Sequence, residues 1–381
     1  MRNLFICLLC SALLVPVGGC NTQRDQDPQI VSNAQQATTA SAAAESAAAT
    51  IDPEVEKAAD ALAAAGAKLE KSSAGVVTSV DLRGTEATDA LAGSLARLAR
   101  LEKLSMDQSS MTLEGWAQLA KLSDLQQLDL RDCPVNNEQL IAAVSGMSKL
   151  RALRMSGKSG QTSVDDTGLA VVSNCPELKA LAIDDLWVTT AGIQHLKANT
   201  KLVELYAGGT TIDDDAALVL AKLPALKKLR LSRTGIGLSA LESLSSLPLE
   251  DLDISEASGI DDDSLVALGK IKSLKRLNLW RDTVSDEGVV HLAGLTNLEW
   301  LNLDNTHLSD AGLPHLSGLS KLTFLHLGST GVTDAGMDSL VSLKSLKDLK
   351  VTRTAVTDQG VEVVKKAIPG VDVQLKYIEG E

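Results

Sequence analysis

Eight aspartates recur at one point of a repeating pattern: Asp89, Asp166, Asp214, Asp262, Asp286, Asp310, Asp334 and Asp358. Asp213, Asp215, Asp261 and Asp263 thicken the series. Clustered carboxylate oxygens are what a calcium ion needs. Helix capping needs the same residues without any ion. Ser, Thr or Asp stands before most of these aspartates and is a natural N-cap. The aspartate itself would then lie in a first helical turn, where the helix dipole favours negative charge. Capping is the preferred reading, and no metal or cofactor is expected. His195, His291 and His315 also share one place in the pattern. A zinc site would need a third donor on that face, and none is evident, so they read as surface residues. Cys133 and Cys175 are too few for a disulfide framework and are not spaced as zinc ligands. They read as small buried hydrophobes. Beyond residue 19 the sequence contains no G-x-S-x-G, H-E-x-x-H, C-x-x-C or phosphate loop, so enzyme activity is not expected.

The remaining candidates are aromatic. Trp280, Trp300 and Phe324 lie near Arg276, Arg281, Asn278, Asn302, Asp304 and His326 in the sequence. Exposed rings beside arginine are typical of binding hot spots. Whether these side chains meet depends on the elements that carry them.

Those elements are repeats. The segments 274–297, 298–321, 322–345 and 346–369 align as L-x-x-L-x-L-x-x-T-x-V-[ST]-D-x-G followed by an apolar stripe. Earlier units start at Val77, Leu101, Leu125, Leu150, Leu178, Leu202, Leu226 and Leu249, which gives twelve. A thirteenth strand, Val371 to Leu375, closes the series. In L-x-x-L-x-L the last two leucines alternate with period two, so they point inward from a short strand. The variable third, fifth and seventh positions then face outward on the sheet. Trp300 and Phe324 fall at the third, His326 at the fifth and Trp280 at the seventh. Neighbouring strands are ~5 Å apart, so these residues should form one patch. Tyr206 faces the same way three units earlier. Thr85, Thr210, Thr234, Thr306, Thr330 and Thr354, at the ninth position, offer a hydroxyl to the turn backbone. Gly168, Gly192, Gly288, Gly312, Gly336 and Gly360 should let helix and strand layers approach. At ~4.8 Å per strand, twelve units span an arc of roughly 55–60 Å.

The pattern resembles the leucine-rich repeat over residues 77–375. The V-[ST]-D-x-G variant is similar to a class found in bacterial envelope and secreted proteins. Asn174-Cys175-Pro176-Glu177-Leu178 is similar to the cysteine-containing repeats of F-box proteins. The resemblance implies an α/β solenoid, with a curved parallel sheet on the concave side and helices outside. The unit at Leu150 carries an insertion, Gly157 to Thr162, whose small polar residues predict a loop at the sheet edge.

Residues 1–19 read as an export signal. Arg2 supplies the charge and Leu4 to Val15 an apolar run too short for an ordinary membrane span. Val17-Gly18-Gly19-Cys20 resembles a bacterial lipobox. That resemblance implies cleavage before Cys20 and acylation of its thiol and amine. Multiple acyl chains anchor stably where one does not. Asn21, in place of Asp, favours the outer membrane by the same resemblance. Residues 20–50 are rich in Ala, Ser, Thr and Gln and read as a flexible tether. Residues 51–76 are expected to cap the first repeat, with a helix over about 53–70. Asp52 would be its N-cap, Pro53 its first residue, and Val55, Ala58, Ala59, Leu62, Ala65 and Leu69 its apolar face. The repeat domain is assigned to 77–381.

Composition narrows the partner. The chain has 381 residues and a net charge of −13, which makes it a poor counterion for nucleic acid. Rings make up only 2% of it, as a core of repeated Leu, Val, Ile and Ala layers allows. The expected function is recognition of a protein, peptide or envelope glycan by a membrane-anchored solenoid. The alternative is a structural protein that associates with itself. The expected binding residues are Trp280, Arg281, Trp300, Asn302, Asp304, Phe324 and His326.

Overall fold

A computed structural model describes residues 52–376. The expected signal, lipidation site and tether lie outside the described residues, as does Tyr377. Fourteen strands form one sheet in sequence order. They are β1 (Lys68–Lys71), β2 (Val77–Asp81), β3 (Lys103–Ser105), β4 (Gln127–Asp129), β5 (Ala152–Ser156), β6 (Ala180–Asp184) and β7 (Glu204–Tyr206). There follow β8 (Lys228–Arg230), β9 (Asp251–Asp253), β10 (Arg276–Asn278), β11 (Trp300–Asn302), β12 (Phe324–His326), β13 (Asp348–Lys350) and β14 (Asp372–Gln374). Each of the twelve units supplies one strand from β2 to β13, and β14 is the expected closing strand. From β2 onward all pairing is parallel and in register, so Leu277, Leu301, Leu325 and Leu349 stack as one buried row.

The outer layer is made of short α and 3-10 turns. Residues Asp286–Val289 are α-helical and Val290–Gly294 are 3-10, while Leu313–Leu316 form a 3-10 turn. The core between the layers is almost wholly aliphatic. Among the described residues Trp116 is its one aromatic residue, fully buried with an indole N–H that finds no partner.

The N-terminal cap differs from the expectation. The helix spans Pro53–Ala64, and Asp52 accepts the Glu54 N–H as its N-cap. It stops there because Gly66, at φ 102°, turns the chain. Gly66 N–H donates to Ala63 O and Ala67 N–H to Leu62 O, the paired bonds of a glycine-terminated helix. Leu69, placed in the helix by its spacing, instead lies in β1 opposite Val80, antiparallel to β2. The outer edge of the sheet is therefore a short strand bearing Lys68, Glu70 and Lys71, charges that discourage further pairing.

The recurrent aspartates do more than sit in a first turn. All but Asp358, in the last unit, reach forward to the next repeat. Asp310 accepts the Thr333 N–H at 2.8 Å and the Thr333 hydroxyl at 2.6 Å. Asp89 does the same for Thr112, Asp166 for Thr189, Asp262 for Ser285, Asp286 for Ser309 and Asp334 for Thr357. The carboxylate oxygens are filled by these donors, which accounts for the series without calcium. The glycines have a corresponding role. A side chain on Gly192, Gly288, Gly312, Gly336 or Gly360 would overlap the carboxylate of the preceding unit. The neighbour they make room for is thus the previous repeat's aspartate, rather than the strand layer.

Four units lack the aspartate: Asn137 still accepts the Asp165 N–H and Thr190 donates its hydroxyl to Asp213, but Leu113 and Leu238 offer no polar group. The helices that follow them are capped from within. Gln139 accepts the Asn136 N–H, and the Ser264 hydroxyl accepts that of Asp261, each closing a capping box. Gln139 and Ser264 stand where seven units carry glycine. In these two units that position holds a local substitute for the missing carboxylate.

Candidate functional site

The ninth-position threonines hold the turns that lead away from the sheet. Thr210, Thr234, Thr306, Thr330 and Thr354 each donate a hydroxyl to the carbonyl three residues back. Just before this turn, the eighth residue lies in the left-handed region. Asp132, Asp185, Arg233, Glu256, Arg281, Asn305, Ser329 and Arg353 all have φ between 52° and 65°. Outside Asn and Asp this conformation costs roughly 1–2 kcal/mol, so a glycine column would be the cheaper solution. Instead the rim carries charge, and its side chains pair across it. Arg233 reaches over Gly209 to Asp185 at 2.8 Å, and Arg281 meets Glu256 at 3.0 Å.

The open sheet face is ordered by strand register. Arg276, Trp300 and Phe324 are direct neighbours at the third position of β10, β11 and β12. Trp300 and Phe324 stack with centroids 5.0 Å apart and planes 6° from parallel. Arg276 lies over the Trp300 ring at 4.3 Å. Since β10 and β12 flank β11, Arg276 and Phe324 cover opposite faces of the indole. His326 meets Phe324 edge-on at 6.4 Å. Two more rings are covered by arginine: Tyr206 by Arg230 at 5.1 Å and Trp280 by Arg281 at 5.3 Å.

Charge is sorted by strand. Lys228 and Arg230 stand on β8, Asp251 and Asp253 on β9, and Arg276 on β10. Ion pairs run across the strands: Lys228 to Glu204 at 2.8 Å, Arg230 to Asp253 at 3.5 Å and to Asp184 at 3.6 Å, and Arg276 to Asp251 at 3.4 Å. Each arginine is thus held between a ring and a carboxylate. Desolvation raises the pKa of Asp184 and Asp251, and the nearby arginines oppose it.

Five of the seven expected residues line one hollow of about 520 Å³: Trp280, Arg281, Asn302, Asp304 and His326. Trp300 and Phe324 stand beside it as the stacked pair. Asn302 accepts the Asp304 N–H at 2.9 Å, which fixes its carboxamide. His326 Nε2 is 3.8 Å from Asp304, and burial holds the imidazole below its ordinary pKa despite that carboxylate. A larger hollow of about 750 Å³ lies toward the N-terminal side, between Trp280 and Lys158 of the insertion. Its lining includes Ser232, Asp253, Ser255 and Asn278.

Two features escaped the sequence. Asp282 occupies the ninth position in its unit, where other units carry threonine, and is 3% exposed. One of its oxygens accepts the Ala257 N–H, and the other has no partner. Burial pushes its pKa up to about 8, helped by Asp253 and Glu256. The lapse from Thr to Asp was the readable signal. The second is Trp187, on the turn after β6, exposed to 74%. The outer-surface histidines are as expected, with His291 and His315 exposed and His195 half-buried. Among the described residues no group of His, Cys, Asp and Glu could hold a metal ion, and no helix is long and apolar enough to cross a membrane.

Comparison with known proteins fits this geometry. A family model described as Leucine Rich repeat matches residues 318–341. No curated protein matches the sequence. An internalin from Listeria monocytogenes is 18% identical with a TM-score of 0.56, over 87% of this chain and 96% of that one. A leucine-rich-repeat protein from Leptospira interrogans is 17% identical with a TM-score of 0.52, over 78% of this chain and 90% of that one. A TDR receptor is 17% identical with a TM-score of 0.51, over 79% of this chain and 55% of that one. At these identities the likeness is one of fold. The chain carries a leucine-rich-repeat match and folds as an α/β leucine-rich-repeat solenoid.

Proposed function

We propose that this chain is a lipid-anchored recognition module of a bacterial envelope, which binds a polypeptide partner on the C-terminal half of its open sheet face. Cys20 is the anchor, residues 21–50 the tether, and the outer membrane the favoured location. The observation that carries the binding site is the Arg276–Trp300–Phe324 stack. It presents ring edges on a rigid backbone, so little entropy is lost when a partner covers it. It also favours polypeptide over glycan. A sugar stacks on a free ring face, and both faces of Trp300 are already covered. Arginines held between rings and carboxylates keep planar donors ready for backbone carbonyls and acidic side chains.

The test is to crosslink the protein in its native envelope, recover it, and compare Trp300→Ala/Phe324→Ala with the wild type. Loss of the crosslinked partner with an unchanged melting temperature supports the site. Equal recovery by the double variant refutes it. Light scattering of purified protein separates the structural alternative, which requires self-association. Cys20→Ala should release the protein from membranes, and retention there would end the lipoprotein reading.

A further inference from the structure

Trp187 is the most exposed large hydrophobic residue among those described, at 74% against 38–55% for the others. It lies at the tenth position of its unit. The parallel bridges that link units place Thr211, Gly235, Thr283, Gly331 and Ala355 at the same point. The column is otherwise made of small residues with one glutamate, one proline and one histidine, so the fold does not call for an indole there. Nor is the ring on a loose segment. Leu186 and Val188 on either side are buried, Asp185 N–H donates to Gly208 O at 2.7 Å, and Trp187 itself bridges to Asp165.

A second departure from the repeat meets it. The insertion after β5 is pinned to the Trp187 turn, with Gly157 N–H donating to Asp184 O at 2.8 Å. A side chain on Gly157 would overlap the Asp185 carbonyl, so the two turns pack backbone to backbone. Lys158 of this insertion, with Asp184 and Asp185, lines the 750 Å³ hollow of the sheet face. The rim at Trp187 is therefore continuous with the face proposed to bind a partner. From β6 to β12 there are six strand intervals, about 29 Å. That matches the width of a standard protein interface, about 800 Å² on each partner.

We infer that Trp187 is a second anchor of the same interface, seated in an apolar pocket ringed by lysine or arginine on a folded partner protein. The charge around the indole argues for that rim. Asp165, bridged to Trp187, accepts from the neutral donors Asn137 and Thr167, whereas Asp184 and Asp185 are paired with Arg230 and Arg233, and Lys158 stands on the neighbouring insertion. The Asp165 carboxylate opposes seating on an anionic membrane, the other common use of an exposed tryptophan. Two anchors six strands apart demand a partner with its own fixed shape, which a short free peptide lacks. The inference rests on the reading that the sheet face binds a protein.

The experiment places a photoreactive benzoylphenylalanine at position 187 and, in a separate chain, at position 324. Each full-length protein is irradiated in the cells that produce it, and adducts are identified by mass spectrometry. Adducts of both positions with the same protein are expected. That protein, purified, should bind the full chain with Kd raised at least tenfold by Trp187→Ala, and the melting temperature should not change. An adduct at 324 alone, different proteins at the two positions, lipid or a second copy of this chain at 187, or an unchanged Kd overturns the inference and leaves the sheet face standing. Absence of adducts at both positions removes the sheet-face reading as well.

Discussion

The carboxylate of Asp310 occupies the space that a side chain on Gly336 would need. The same carboxylate caps the helical turn that begins at Thr333, so cap and glycine form one device shared by two repeats. Gly336→Ala should therefore expel a cap as well as crowd a turn. The expected loss is about 1–3 kcal/mol in denaturant unfolding. Asp310→Ala should lose about 1 kcal/mol. The double variant should lose clearly less than the sum, because the added methyl no longer meets a carboxylate. Simple additivity would show the two residues to be independent.

Stability should fall with rising pH through Asp282. Its folded value of about 8 lies above the ordinary 3.8, so the fold favours the neutral carboxyl. The stability it contributes is complete below about pH 4 and lost as pH rises through about 8, a change on the order of 5 kcal/mol. Asp282→Asn should flatten unfolding free energy between pH 5 and pH 9. Asp282→Thr should do so too, and would restore the hydroxyl that Thr306 supplies in the following unit. A wild-type profile flat over that range would contradict the assignment.

Neither body cysteine should react in the native state. Burial pushes the Cys133 thiol up to about 12 and that of Cys175 up to about 11. Alkylation at pH 8, read on the two peptides by mass spectrometry, should be absent from folded protein and complete in denaturant.

The aspartate series should be indifferent to calcium. Its oxygens already accept N–H and O–H donors, so neither EDTA nor millimolar calcium should move the melting temperature. A rise of several degrees with calcium would mean that the carboxylates can leave their capping positions.

Strand positions and register were legible because a leucine every few residues, repeated twelve times, permits only one stacking. The outward direction of Trp280, Trp300, Phe324 and His326 followed from strand alternation alone. Leu69 was misread because helical spacing and a short strand can share an apolar residue, and Gly66 decided between them. The link from Asp310 to Gly336 was also present in the letters, since Leu113 is followed by Gln139 and Leu238 by Ser264. It could not be recognised within one repeat, because its two ends lie in different ones. The covering of Trp300 by Arg276 depended on a rotamer, which residue spacing does not encode.

The caps also give the solenoid a grain. Asp262, Asp286, Asp310 and Asp334 clasp four successive junctions without interruption, and the rings of the binding face stand on this stretch. At Leu113 and Leu238 the clasp is missing, and each following turn looks after itself. The protein is thus a laminate with two seams. Amide exchange should open first along them, while the C-terminal block moves as a single plank and keeps its aromatic edge in true.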